Sequence, residues 1–200
     1  MENNIELRAT GYLVNAEISG KNRAVLKLIQ DDILDEFPGA VWKTPTDNLH
    51  ITLTTIVDPF FDYGEDRDEL FEKNYPAYEK FLEDIFSQQQ AFDVVFDEIR
   101  VTSDAVIIIG KDDGNFQKIR EAFSEKISRL PKMAKMPRTP NIIHSTIIRI
   151  INPDNLGRFR DYVSQKNPHL TVRVESFRLV KETKVPAVDV QILKTYKLGQ

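Results

Sequence analysis

LHITLTTIV, residues 49–57, and NIIHSTIIRII, residues 141–151, are two apolar, β-branched stretches that share one feature. Each carries a histidine followed two residues later by a threonine: His50 with Thr52, and His144 with Thr146. Both stretches have the composition of strands. Residues i and i+2 of a strand point to the same face, so each stretch projects an imidazole and a hydroxyl together. The alternate residues, Ile51 with Leu53 and Ile147 in the second stretch, then turn into a core.

The surroundings of the two stretches repeat. Before the first, residues 9–18 read as a strand and residues 21–37 as a helix, with Leu26, Ile29, Ile33, Leu34 and Phe37 on one stripe and Pro38-Gly39 ending it. After it come a helix over residues 67–89, expected to break near Pro76, and a strand over residues 92–101. The second series is strand 104–110, helix 115–130, strand 141–151, helix 153–166 with Pro153 in its first turn, strand 170–182 and strand 188–198. Each half reads β-α-β-α-β with a His-x-Thr on its middle strand, a repeat of order and motif rather than of letters. The expectation is a single α+β domain of two similar lobes, one about residues 1–101 and the other about 102–200, with both middle strands lining a central cleft.

Composition narrows the function. With 41% hydrophobic residues in a chain of 200, a real core can be buried. A formal charge of −4 excludes avid binding to duplex DNA, which needs a basic surface, but leaves room for a local positive patch that takes a nucleotide or an RNA end. The absence of cysteine excludes disulfides, thiolate nucleophiles and cysteine zinc sites. The polar start MENNIELRAT has no apolar signal core, and the greasiest run is interrupted by His144, Ser145, Thr146 and Arg149, so no membrane association is expected. A monomeric cytoplasmic protein follows as the default.

Two imidazoles and two hydroxyls around one cleft suit the opening of a cyclic phosphodiester. A neutral imidazole takes a proton from water, and an imidazolium gives one to the leaving sugar oxygen. Histidine titrates near neutrality, so both forms coexist there. Threonine hydroxyls donate to the non-bridging phosphoryl oxygens. No cofactor is required, and no cluster of metal ligands is apparent.

The stretch from Trp42 through Lys43, Thr44, Pro45, Thr46, Asp47, Asn48 and Leu49 to His50-Ile51-Thr52-Leu53 resembles the first motif of the two-histidine phosphoesterase superfamily, with the tryptophan-bearing strand before it. His144 to Arg149 resembles the second motif, including the arginine five residues after the histidine. That superfamily includes the bacterial 2'-5' RNA ligase / RNA 2',3'-cyclic phosphodiesterases. The resemblance covers most of the chain and implies two lobes with antiparallel-rich sheets around a cleft. It implies catalysis by His50, Thr52, His144 and Thr146 on a 2',3'-cyclic phosphate or a related 2'-linked (oligo)nucleotide. The alternatives are RNA end joining, hydrolysis of a cyclic oligonucleotide, or nucleotide binding without turnover. Ile143 stands where the family commonly has proline, and the Phe-Leu-Gly turn after the first motif is missing; both differences bear on the substrate.

Plainer readings compete at several positions. His169-Leu170-Thr171-Val172 is a third match to the motif, but it sits where a strand begins and leaves the repeat incomplete, so His169 reads as a surface residue. Lys126, Arg129, Lys132, Lys135, Arg138 and Arg149 form an acid-free basic run that would make a positive lip to the cleft, or a solvated surface. Arg149 lies at odd spacing from His144, so regular alternation turns it away from the cleft. Trp42 is a candidate cleft wall as well as a core residue, and Tyr63, with Phe60 and Phe61, is a candidate cover for a bound base. The acidic run Asp62, Glu65, Asp66, Asp68 and Glu69 reads as a helix N-terminus rather than a metal site.

Overall fold

A computed structural model describes residues 6–128, 138–152 and 156–199. Within them, nine strands and four helices follow one another as β1 (Leu7–Glu17), α1 (Gly20–Glu36), β2 (Val41–Lys43), β3 (His50–Val57), α2 (Arg67–Phe86), β4 (Phe92–Val101), β5 (Ala105–Lys111), α3 (Asn115–Ser128), β6 (Ile143–Ile150), α4 (Leu156–Ser164), β7 (Leu170–Val174), β8 (Ser176–Val185) and β9 (Asp189–Lys197). They form the expected α+β architecture. One sheet has the order β3-β1-β8-β9 and the other β2-β6-β5-β4-β7. Every strand pairing in both is antiparallel.

The two sheets are not the two halves of the chain. The first sheet takes β1 and β3 from the first half and β8 and β9 from the second, and the other sheet is mixed likewise. The helices cross over as well: α1 packs on β2, β6 and β7, while α3 packs on β3 and α2. The crossing-back point is Glu175. What reads as one strand over residues 170–182 is two, β7 pairing with β4 and β8 pairing with β1. Burial alternates from Leu170 to Val174, Glu175 and Ser176 then both lie outside the core, and Phe177 restarts the alternation in the opposite phase, so the change of sheet shows in the hydrophobic period only as a one-residue slip.

One other expectation is corrected. Helix α2 runs unbroken through Pro76, because Pro76 lies on the exposed face while Leu70, Phe71, Tyr78, Leu82, Ile85 and Phe86 anchor the buried face. Strand β2, three residues long, is the tryptophan-bearing strand that the resemblance implied. Pro153 lies outside the described residues. One continuous apolar core joins both sheets and their helices, from Val14 and Leu53 to Ile148 and Phe177.

Candidate active site

Strands β3 and β6 carry matching irregularities. In the β1–β3 pairing, Val14 faces Thr54 and Asn15 faces Thr52, so Leu53 is an extra residue. In the β5–β6 pairing, Val106 faces Ile148 and Ile107 faces Thr146, so Ile147 is extra. A bulge inserts one residue and reverses the alternation beyond it. The residue five places after each histidine is thereby returned to the histidine's own face. His50, Thr52 and Thr55, together with His144, Thr146 and Arg149, line a single cleft of about 400 Å³. The expectation that Arg149 points away is overturned by this bulge. Its only trace in the sequence is the doubled apolar pair Ile147-Ile148.

The two motif strands are fastened to each other by crossed ties. Six residues before His50, the Thr44 N–H donates to Ile147 O at 3.2 Å. Six residues before His144, Arg138 and Thr55 exchange backbone hydrogen bonds of 3.0 and 2.8 Å. Each helix of the crossed pair adds a buried polar side chain. Gln30 of α1 donates to Thr44 O at 2.9 Å and to Ile147 O at 2.7 Å. Arg120 of α3, only 4% exposed, donates to Leu53 O at 3.1 Å, Thr52 O at 3.0 Å and Ile142 O at 3.3 Å. The carbonyl three residues after each histidine is therefore held by a helix from the opposite half. Sequence reasoning missed both residues; a glutamine and an arginine on buried helix stripes are the only signal available.

The imidazoles differ in their surroundings. His50 donates its Nδ1–H to Asn48 O at 2.7 Å, so in the neutral ring Nε2 is the acceptor. Asn48 is itself anchored, its side chain donating to Ala187 O at 2.8 Å and Val188 O at 3.3 Å. Burial pushes the His50 pKa down to about 4, helped by Arg178 and by His144 and opposed by Asn48 O. His144 is also lowered, first by burial and then by the positive charges of Arg120, Arg149 and Arg138, with Ile142 O opposing. Ile142 O is the counterpart of Asn48 O, two residues before the histidine. It accepts from Arg120 at 3.3 Å, and although it lies close enough to favour the imidazolium it makes no well-formed hydrogen bond to the buried His144 Nδ1 like the one that fixes His50.

Arg138 lines the cleft rim with an exposed side chain 4.0 Å from the Asp58 carboxylate. Trp42 sits on β2 opposite Arg149 and is half-buried, outside the cleft lining. Tyr63 is not in the lining either; its hydroxyl accepts from the Asp58 N–H at 2.9 Å and so steadies a residue that is. Phe60, 67% exposed, is the aromatic residue of that loop that faces the cleft. Glu182, Val185, Pro186 and Ala187 complete one wall, a set that the motif search did not single out. His169 is exposed and precedes β7, the far edge strand of its sheet. Asp66 caps α2, accepting from the N–H groups of Asp68 and Glu69, as the acidic run predicted. Arg129, Lys132 and Lys135 lie outside the described residues. Among the described residues no group of three or more His, Asp or Glu side chains is arranged to hold a metal ion, and no helix is long and apolar enough to cross a membrane.

No protein-family model and no curated relative matches the chain. Solved structures do share its fold over nearly the whole length. TT0787 of Thermus thermophilus is 19% identical, with 95% of this chain and 99% of that one covered and a TM-score of 0.65. E. coli LigT complexed with 3'-AMP is 16% identical, with 96% and 99% covered and a TM-score of 0.66. ATU0111, a conserved protein of Agrobacterium tumefaciens str. C58, is 16% identical, with 96% and 87% covered and a TM-score of 0.67. LigT also has structures with NADP+, with ATP and with phosphate. At these identities the likeness is one of fold, and it is the fold implied by the resemblance to two-histidine phosphoesterases.

Proposed function

We propose that this chain is a metal-independent phosphodiesterase that hydrolyses a 2',3'-cyclic phosphate, or a related 2'-linked (oligo)nucleotide phosphodiester, with His50 and His144 as its proton-transfer groups. The observation that carries this reading is the twofold set His50, Thr52, Thr55 and His144, Thr146, Arg149 facing one cleft. A phosphate between the two strands would accept hydrogen bonds from the Thr52 and Thr146 hydroxyls, and Arg149 would offset its charge. His50 suits the general base, because its Nδ1–H is committed to Asn48 O and Nε2 is free to take a proton from water. The hydroxide so formed attacks phosphorus, and the bond from phosphorus to one ribose oxygen breaks. His144, as imidazolium, gives its proton to that oxygen, leaving a nucleoside monophosphate. Bound phosphate favours the imidazolium through its negative charge. The nucleotides in the LigT structures support a substrate of that class.

The test is turnover in EDTA of a 2',3'-cyclic-phosphate oligonucleotide, a 2'-5'-linked oligoadenylate and a cyclic oligonucleotide, with products identified by mass and phosphorus NMR. Hydrolysis of the first, lost in His50→Ala and His144→Ala and kept in His169→Ala, is the expected result. Retained nucleotide binding with no turnover of any of the three would replace the enzyme by a binding module.

A further inference from the structure

The cleft contains a carboxyl that the proton transfers leave unused. Glu182 lies on β8 with 8% of its surface exposed and lines the cleft beside Leu13, Val185 and Ala187. Its partner across β1 is Gly11, which has no side chain to cover it. A Cβ on Gly11 would lie 3.0 Å from Pro59 Cδ, so that glycine lets the Asp58–Phe60 loop approach the same sheet face. No ion pair joins Glu182 among the described residues. Burial pushes its pKa up to about 7, although the Ala187 backbone N–H and Arg149 both favour the ionised form. A buried carboxyl on a cleft wall, with no ion pair among the described residues, is placed to meet a ligand rather than to hold the fold.

The chemistry of the substrate restricts what it meets. This step rests on the reading above. In a 2',3'-cyclic phosphate both ribose hydroxyl oxygens belong to the phosphate ring, so the donors left on the reacting nucleoside are mainly the N–H groups of its base. An ionised carboxylate only accepts. Guanine presents N1–H and N2–H side by side, one for each carboxylate oxygen. Adenine and cytosine place a ring-nitrogen acceptor beside their amino group, and uracil flanks its N–H with two carbonyls; each would set lone pair against lone pair. Phe60, exposed on the cleft, offers a face for the base to stack on. We propose that Glu182 is the base-reading residue of the cleft and selects guanine by accepting from its N1–H and N2–H groups.

The experiment measures kcat/KM at pH 7, where Glu182 is already partly ionised, for the 2',3'-cyclic phosphates of guanosine, adenosine, cytidine and uridine with wild type, Glu182→Gln and Glu182→Ala. Calorimetric binding of 3'-GMP and 3'-AMP accompanies it. Guanosine should lead by about 10- to 100-fold, the usual worth of a bidentate base contact. Glu182→Gln, which turns an amide N–H toward guanine's donors, should abolish that lead and leave uridine turnover within a few-fold. An unchanged ranking, or equal slowing of all four, overturns the proposal and leaves the phosphodiesterase reading standing. No turnover of any of the four, with a 3'-GMP preference that Glu182→Gln removes, supports the base reader and overturns the hydrolytic reading. Neither turnover nor a binding preference overturns the base reader as well.

Discussion

The first motif holds its histidine against its own backbone, whereas the second surrounds its histidine with arginines. His50 has Nδ1 fixed by Asn48 O, and the residue five places on is the neutral Thr55. His144 has no well-formed hydrogen bond at Nδ1, its carbonyl counterpart is taken by Arg120, and the residue five places on is Arg149. The backbone frames are copies down to the bulge; the polar groups placed on them are not. A repeated frame thus fixes where the two histidines stand, and the side chains around it differ. Under the proposed function, the side that holds its ring in a fixed tautomer would take a proton, and the side that gathers positive charge would meet the anion and give one.

The largest effect should come from the imidazoles themselves. His50→Ala and His144→Ala should each lower kcat by roughly 10²–10⁴-fold, the range of one acid–base group. A loss confined to one of them, measured in steady state, would break the comparison. The crossed ties come next. Arg120→Met strands three carbonyls and should destabilise the fold by about 3 kcal/mol in urea unfolding, with Gln30→Met costing about 2 kcal/mol. In the same Arg120 variant the His144 pKa, followed by NMR, should rise, because a cation is removed and Ile142 O is freed. Equal costs and an unmoved His144 would make the two ties interchangeable.

The matched positions five residues after the histidines sharpen the contrast further. Arg149→Ala should lower kcat/KM by about 10- to 100-fold, as for a charged hydrogen bond, and Thr55→Val by about 2- to 10-fold, as for a neutral one. Asn48→Ala should have the smallest effect, about 1 kcal/mol in transition-state stabilisation, or roughly fivefold in kcat. It removes the anchor to Ala187 and Val188 but keeps the Asn48 carbonyl. Nitrogen NMR of His50 should show the fixed tautomer giving way to a mixture in that variant.

The positions of His50, Thr52, His144 and Thr146 were legible because strand alternation and a repeated motif act over a few residues. The antiparallel α+β fold was legible for the same reason, from period and breakers. What was hidden depends on partners far along the chain. Leu53 and Ile147 become bulge residues only through the register with β1 and β5, so the approach of Arg149 to the cleft could not be read from its odd spacing. The change of sheet at Glu175 shifts the alternation by a single residue, at Glu175-Ser176, a step too short to tell two strands from one strand with a bulge. Gln30 and Arg120 gain their meaning from carbonyls on other elements. Tyr63 showed the reverse: an aromatic near the first motif turned out to steady Asp58, with Phe60 in the place it was expected to take.

The division of labour is tested most directly by the pH dependence of kcat/KM for a 2',3'-cyclic-phosphate substrate in wild type and in the two histidine variants. Activity should rise as pH increases through about 4, where His50 in the free protein loses its proton and becomes a base. It should fall again as pH increases through a value below 6.5, where His144 loses the proton it must give. The residual rate of His50→Ala should lack the acidic limb, and that of His144→Ala the alkaline limb. A profile flat between pH 4 and 8, or limbs that survive both substitutions, would contradict the account.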